Sequence, residues 1–386
     1  MNYTSRMSLL GTESAFDVLV KARALEAEGK DVIHLEIGEP DFDTPTHIVE
    51  AGRKALADGF THYGPPAGLP DLREAIANDV AQSRNIDVNA DQVVVCPGAK
   101  PIMFFAILAL AEEGTEVVYP NPGFPIYESV IKFAGATPVP APLIEERNFT
   151  LDVEQMADLV TDKTRLIIIN SPQNPTGGII PAEDLEVIAD VAVRHNIPVL
   201  ADEIYSRMVY DGEFASISAF DGMADKLIIL DGFSKTYAMT GWRLGYGVMP
   251  EETAQRIARL MVNSNSCTAA FTQQAGIAAL TGPQEPSYAM LDEFRKRRDV
   301  FHAGLNAIDG ITCQLPGGAF YLFPNITKTG RPSQEMEEVL LQAGVASLSG
   351  TGFGSYGEGY LRFSYANSLQ NIEEALRRIE GAVSSL

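Results

Sequence analysis

Short, continuously apolar segments that alternate with helical segments constrain the fold of this chain more than any other feature. Such segments lie at 116–119, 166–169, 199–201 and 226–230, and residues 182–195 between two of them have the spacing of a helix. A strand that is apolar along its whole length is buried on both faces, as in a parallel sheet with helices on either side. The sequence therefore predicts an α/β protein whose sheet is mostly parallel.

The charge and hydropathy of the chain exclude some classes of partner. The sequence has 29 Lys and Arg residues against 51 Asp and Glu residues, which gives a net charge of −22. Binding to nucleic acid requires clustered cations, so we expect no nucleic-acid partner. No apolar run approaches the roughly 18 residues of a membrane helix, and no secretory signal is visible, so we expect no membrane association.

The cysteines indicate a reducing environment. Cys96, Cys267 and Cys313 are too few and too scattered for a disulfide framework or a zinc site. We therefore expect reduced thiols, no metal site and a cytoplasmic protein.

The segment 231–245 carries two cations directly after the apolar residues 226–230. These cations are Lys235 and Arg243, and three glycines in the segment allow the backbone to come close. Desolvation at the exit of a buried strand lowers the pKa of a lysine and makes its amine a nucleophile. An arginine offers a rigid two-pronged donor for a phosphate. The alternative is a surface loop in which both cations are solvated.

The spacing of this segment resembles a known signature. Gly232-Phe-Ser-Lys235, followed by Gly241-x-Arg243-x-Gly245, is similar to the active-site lysine motif of the class I/II aminotransferases, and the resemblance extends over nearly the whole chain. These enzymes have fold type I and include the aspartate aminotransferases. The resemblance implies pyridoxal 5'-phosphate as cofactor, a Schiff base on Lys235 and a mostly parallel sheet of seven strands.

The pattern changes after about residue 286, where a charged helix is predicted at 291–305. The resemblance implies a small α+β domain assembled from both termini. We accordingly predict a large cofactor-binding α/β domain and this small domain, with the boundaries 46–285 for the first and 1–45 with 286–386 for the second.

The turn 98–100 provides part of the predicted phosphate site. Gly98, Ala99 and Lys100 lie between a predicted strand and the N-terminus of an apolar helix, whose N–H groups and dipole can hold a phosphate dianion. An ordinary tight turn could have the same residues.

The resemblance adds three further residues to the phosphate site. Ser234 and Arg243 come from the lysine segment, and Tyr63 reaches the phosphate of the neighbouring subunit, which implies a homodimer with shared active sites. Some relatives have Ser where this chain has Gly232, so we expect that contact to be lost or replaced by backbone or by Ser234.

Four residues are predicted around the cofactor ring. Asp202 ends an apolar strand, where its carboxylate can pair with a protonated pyridine nitrogen, although a helix N-cap is the alternative role. By resemblance, Tyr205 and Asn174 bind the phenolate oxygen, and Phe124 stacks on the ring. Lys235, Asp202 and Tyr205 form the predicted catalytic set.

The predicted substrate site lies on the other side of the cofactor. Arg362 is flanked by apolar residues, and a semi-buried arginine requires an anion. The resemblance implies that this anion is the α-carboxylate of an amino acid, which Asn174 and the Gly38 backbone also contact. A structural ion pair is the alternative role of Arg362.

The predicted function is a transaminase that moves the amino group of an L-amino acid to a 2-oxo acid by a ping-pong mechanism. A β-lyase (C–S lyase) or cyclopropane-forming synthase could use the same Lys, Asp and Arg residues. A regulator with an aminotransferase-like domain is disfavoured because we expect no room for a DNA-binding extension before Gly38, and a dehydrogenase lacks its Gly-x-Gly-x-x-Gly turn. The amino acid and the oxo acid are left open.

Overall fold

The structure, a computed structural model, describes all residues from 1 to 386. The α-helices are α1 (Ser14–Ala27), α2 (Thr46–Ala57), α3 (Pro70–Arg84), α4 (Lys100–Leu110), α5 (Ile126–Phe133), α6 (Val153–Asp158), α7 (Ala182–His195), α8 (Glu251–Ser264), α9 (Ala270–Thr281), α10 (Glu285–Asn306), α11 (Ser333–Gln342) and α12 (Leu369–Ser384). The strands are β1 (Ile33–His34), β2 (Val93–Cys96), β3 (Glu116–Asn121), β4 (Thr137–Ile144), β5 (Thr150–Leu151), β6 (Thr164–Asn170), β7 (Val199–Asp202), β8 (Leu227–Gly232), β9 (Gly245–Val248), β10 (Tyr321–Leu322), β11 (Val345–Ala346), β12 (Leu348–Ser349) and β13 (Leu361–Ser364).

The largest sheet has eight strands in the order β2-β9-β8-β7-β6-β3-β4-β5. Strands β8, β7, β6, β3 and β4 are parallel neighbours, whereas β9 is antiparallel to both β2 and β8. The predicted α/β class with a mostly parallel sheet is confirmed. The sheet has one strand more than the predicted seven, because the two-residue strand β5 folds back and pairs antiparallel with the end of β4.

Alternate residues of the central strands belong to two different hydrophobic cores. In β7, Val199 and Ala201 pack into one core, whereas Leu200 packs into the other. Successive side chains of a strand point to opposite faces, so both faces of this sheet are covered. This explains why the central strands are apolar throughout.

Strand β4 has a proline at every second position, namely Pro138, Pro140 and Pro142. The N–H groups of the residues that alternate with the prolines point toward β3, as the hydrogen bond from the Thr137 N–H to the Thr115 carbonyl illustrates. Because proline has no N–H, its alternation removes donors only from the side of the strand that has little pairing. The prolines therefore fit the part of β4 before Leu143, whose outer side has no neighbouring strand, because β5 pairs only with Leu143 and Ile144.

Two smaller sheets lie outside the eight-stranded one. Strand β1 pairs in parallel with β11, so residues near the two ends of the chain are hydrogen-bonded neighbours. Strand β13 lies between β10 and β12 and is antiparallel to both. A separate hydrophobic core packs between these strands and helices α10, α11 and α12. No helix of the chain combines the length and apolarity needed to cross a membrane.

The carboxyl ends of β6, β7 and β8 meet at one edge of the large sheet. In the register of these strands, Asn170 lies opposite Asp202, and Asp202 lies opposite Leu230. Ligands of open α/β sheets bind at this edge. The loops that follow these strands carry the polar residues described next.

Candidate active site

A cavity of about 470 Å³ lies at this edge, between the large sheet and the β10-β13-β12 sheet. All but two of the predicted site residues line it. The exceptions are Gly98, which directly precedes the lining residue Ala99 in the sequence, and Tyr63, which lies on the surface. The residues that the structure brings together come from separate parts of the chain. They are Gly38, Ala99, Lys100, Phe124, Asn174, Asp202, Tyr205, Ser234, Lys235, Arg243 and Arg362.

Lys235 follows β8 and projects its amine into the cavity. Its Nζ donates a hydrogen bond of 2.6 Å to the Gly38 carbonyl and lies 5.6 Å from the centre of the Phe320 ring. Burial lowers the pKa of the amine to about 8, with the nearby Glu39 carboxylate acting against the shift and Arg362 adding to it. A lysine with this pKa is partly uncharged near neutral pH, which a nucleophile or general base requires.

Asp202 is the last residue of β7 and is buried at the floor of the cavity. Its Oδ2 accepts a hydrogen bond of 2.6 Å from the Tyr127 hydroxyl, and its Oδ1 accepts one of 3.3 Å from the Ile204 N–H. Burial raises the pKa of the carboxyl to about 6, while the Tyr127 hydrogen bond lowers it. No α-helix begins directly after Asp202, so the alternative role of Asp202 as a helix N-cap is wrong.

Arg243 lies beside the turn that precedes α4. Its Nη1 donates to the Thr240 carbonyl at 2.8 Å, and its guanidinium packs against Gly98, whose φ is +82°. A side chain at Gly98 would overlap the guanidinium and adopt a strained backbone conformation. Glycine here keeps the guanidinium next to the N-terminus of α4.

Gly232 is explained by the close approach of β8 and β9. It pairs with Gly245, and a Cβ at Gly232 would lie 2.9 Å from the Gly245 Cα. A serine would require the two strands to move apart. Ser234 lines the cavity, and its contact with the phosphate in place of a serine at position 232 stays a prediction.

Arg362 lies on β13 and is buried. Its Nη2 donates to the Glu36 carbonyl, its Nη1 donates to Asn174 Oδ1 at 3.3 Å, and its Nε has no hydrogen-bond partner. Burial lowers the pKa of the guanidinium. These partners are a carbonyl and an amide, so the structural ion-pair alternative is wrong, and the guanidinium charge has no anionic partner.

Comparison with known proteins agrees with this geometry. The family described as "Aminotransferase class I and II" matches residues 30–379. The chain belongs to the class I and II aminotransferases. It is 43% identical to an aspartate aminotransferase of Pyrococcus abyssi over 91% of each chain, and 41% identical to aromatic-amino-acid aminotransferase 2 of Thermococcus litoralis over 90% of this chain and 91% of that protein. A solved aspartate aminotransferase of Thermus thermophilus with maleate superposes with a TM-score of 0.95 at 35% identity, covering 99% of this chain and all of that one.

Membership of this family establishes that the chain is a pyridoxal-phosphate-dependent transaminase. The predicted enzyme class and cofactor are confirmed, and the lyase alternative is not favoured. The residues of this aminotransferase fit the cofactor: a buried carboxylate faces the cavity from β7, and an arginine lies against a glycine turn at a helix N-terminus. These groups match a pyridine nitrogen and a phosphate, respectively.

Several residues of the site were not predicted from the sequence. Tyr127 holds Asp202, and Tyr321 shares a hydrogen bond of 2.7 Å with Tyr205 between their hydroxyls. Asn170 donates to the Asp202 carbonyl at 2.9 Å. Asn170 ends the apolar strand β6, which was a usable signal, whereas nothing in the sequence connects Tyr127 with Asp202 or Tyr321 with Tyr205.

Proposed function

We propose that Lys235 is the reacting lysine of this transaminase and that Arg362 binds the α-carboxylate of the amino acid. The observation that carries the proposal is the buried Arg362 guanidinium, whose Nε has no hydrogen-bond partner, in the same cavity as a lysine whose pKa burial lowers to about 8. An amino acid bound through its carboxylate to Arg362 thus presents its amine and α-carbon toward Lys235 Nζ.

Bound pyridoxal phosphate supplies a carbonyl carbon for the amino group and an electron sink for the α-carbon. The residues of the chain move the proton and hold the cofactor in place. Lys235 Nζ takes up the α-proton, because its lowered pKa leaves a part of this amine uncharged near neutral pH. Asp202 supplies a negative charge for the ring nitrogen, and Tyr205 and Asn174 supply donors for the phenolate oxygen. Phe124 provides the ring face, while the backbone of Gly98, Ala99 and Lys100 and the side chains of Ser234 and Arg243 surround the phosphate.

The test uses the visible absorbance of the cofactor. The purified protein should take up pyridoxal phosphate and show a visible band that an amino acid bleaches. Lys235→Ala should lose the band that reports the covalent bond and lose transamination, whereas Lys328→Ala, at an exposed lysine, should keep both. A Lys235→Ala protein that still transaminates would contradict the role of Lys235.

We further propose that the enzyme is a homodimer in which Tyr63 reaches the phosphate of the neighbouring subunit. The Tyr63 side chain is 90% exposed, and apolar side chains near the N-terminus are also exposed, among them Phe16 at 58% and Val20 at 70%. Large exposed apolar residues support an interface with a second copy of the chain.

Subunit mixing tests this arrangement. Lys235→Ala and Tyr63→Ala are each made as an inactive or weakened homodimer and are then mixed under conditions of subunit exchange. If Tyr63 acts across the interface, each hybrid has one intact site and activity returns. If it acts within its own subunit, no hybrid site is intact and activity does not rise.

The domain division and the location of the protein are also proposals. The main sheet, which lies within 93–248, and the pairing of β1 with β11 support domains of 46–285 and of 1–45 with 286–386. Structures with and without a bound carboxylate inhibitor such as 3-phenylpropanoate would test whether these units rotate as rigid bodies. The free thiols of Cys96, Cys267 and Cys313 support a cytoplasmic location, which cell fractionation would test.

A further inference from the structure

The cavity contains charged groups that the proposed roles do not use. Arg362, Arg243 and Asp202 are assigned to the α-carboxylate, the phosphate and the ring nitrogen. Among the lining residues this leaves Glu13 and the Lys100 side chain, together with Glu39. These groups line the same cavity as Arg362 and Lys235, so they are available to contact the side chain of an amino acid bound there.

Glu13 lies directly before α1 and forms an ion pair with Lys100 at the first turn of α4. The Glu13 side chain is 23% exposed and that of Lys100 is 46% exposed, so Glu13 is the more enclosed partner. The Lys100 ammonium also lies 5.3 Å from the centre of the Phe124 ring. The pair joins the N-terminal segment to the wall of the cavity.

The carboxylate of Glu13 also acts on the reacting groups. It raises the pKa of Lys235 and that of Arg362, in both cases against the larger effect of burial. Glu39 raises the pKa of Lys235 too, and it accepts a hydrogen bond from Thr240. A substrate side chain in this part of the cavity would therefore meet two carboxylates and one lysine that already has an anionic partner.

The remaining wall of this part of the cavity is apolar. Phe16 and Ala15 follow Glu13 along α1, and Met103 and Phe124 lie on the side of Lys100. An apolar or aromatic side chain can be buried here without breaking an ion pair. The side-chain carboxylate of a dicarboxylic amino acid would have to displace Glu13 from Lys100, and it would lie near the negative charges of Glu13 and Glu39.

We propose that Glu13 is a specificity-determining residue: by holding Lys100, it makes this transaminase select amino acids with uncharged apolar or aromatic side chains over dicarboxylic ones. The proposal rests on the proposed function of the same site. Removal of the Glu13 charge frees Lys100 to pair with a distal carboxylate.

The experiment compares two amino donors and two inhibitors across four proteins. Single-turnover kcat/KM is measured for L-phenylalanine and L-aspartate with wild type, Glu13→Gln, Glu13→Gln/Lys100→Met, and the control Glu28→Gln at the exposed end of α1. Dissociation constants of 3-phenylpropanoate and succinate are measured by calorimetry on the same proteins. Single-turnover reactions avoid a dicarboxylic acceptor.

Wild type and Glu28→Gln should prefer phenylalanine by at least about tenfold, and Glu13→Gln should shift the ratio toward aspartate by about tenfold or more. Succinate binding should tighten in parallel. The gain should vanish in the double variant, because it requires the freed Lys100.

The proposal is overturned if wild type prefers aspartate, if Glu13→Gln leaves the ratio and the succinate affinity unchanged, or if the gain persists without Lys100. Failure of the proposed function has a different result, since then Lys235→Ala and Arg362→Met would still transaminate both amino acids, whatever the ratio between them.

Discussion

Tyr127 donates a hydrogen bond of 2.6 Å to Asp202, so a phenol and not a cation holds the carboxylate at the floor of the cavity. A neutral donor stabilises the carboxylate without neutralising it. The negative charge thus stays available to a cationic ring nitrogen.

Removal of the Tyr127 hydroxyl should therefore raise the pKa of Asp202 above its value of about 6, because that hydrogen bond favours the ionised form. In Tyr127→Phe we expect the acidic limb of kcat/KM to move to higher pH and the affinity for pyridoxal phosphate at pH 7 to fall about tenfold. Tyr356→Phe, at a half-exposed tyrosine, is the control. An unchanged acidic limb in Tyr127→Phe would show that this bond does not set the ionisation of Asp202.

Asp202 should also make the stability of the cofactor-free protein depend on pH. Its folded-state pKa of about 6 lies above the ordinary value of 3.8, so its contribution is fully present below pH 3.8 and is lost as the pH rises through about 6. In the cofactor-free protein at pH 7.5, Asp202→Asn should raise the free energy of unfolding by roughly 2 kcal/mol. Activity should be lost in the same variant.

Thermal unfolding of both cofactor-free proteins between pH 4 and pH 8 measures this effect. The difference between Asp202→Asn and wild type should shrink as the pH falls toward 4. A difference of the same size at pH 4.5 and 7.5 would contradict the link to ionisation.

Arg362 should be replaceable by lysine only at a large loss, because a lysine keeps the charge but not the planar fork. We expect kcat/KM to fall about 100-fold in Arg362→Lys and about 1000-fold in Arg362→Met, mainly through KM. The affinity for pyridoxal phosphate, measured by spectroscopic titration, should stay within a factor of about three in both. Equal activity of wild type and Arg362→Lys would exclude two-pronged binding of the carboxylate.

Arg84, the last residue of α3, connects the ends of β7 and β8. It is buried and donates to Glu203 at 3.1 Å and to Asp231 at 2.6 Å. Glu203 directly follows Asp202, and Asp231 is the first residue of the segment 231–245 that contains Lys235. Arg84→Met should lower the free energy of unfolding by about 3–5 kcal/mol, because it leaves two buried carboxylates without their cation.

Denaturant unfolding measures this loss, and Arg84→Met/Glu203→Gln/Asp231→Asn is the matched variant. It should recover a part of the stability, because no uncompensated charge stays buried. A triple variant less stable than Arg84→Met would contradict the explanation that unpaired buried carboxylates cause the loss.

The sequence predicted those residues of the site that follow apolar strands or belong to a recognisable motif. Asp202, Lys235 and Arg243 are of this kind, because the carboxyl ends of parallel strands meet at one edge. The pairing of Glu13 with Lys100 and that of Tyr205 with Tyr321 could not be predicted, because each depends on how distant segments pack. Strand β4 was missed because alternating prolines obscure the apolar pattern of a strand.

The short segment 36–38 contacts both cations on which the proposed chemistry depends, through the Glu36 carbonyl to Arg362 and the Gly38 carbonyl to Lys235. A substrate carboxylate competes with the first contact, and a covalent bond at Lys235 ends the second. Occupancy of the site and attachment of this segment are therefore linked equilibria. A substrate carboxylate that binds Arg362 weakens the attachment of this stretch of backbone, and release of the product restores it, so the segment is expected to detach and reattach once in each half-reaction.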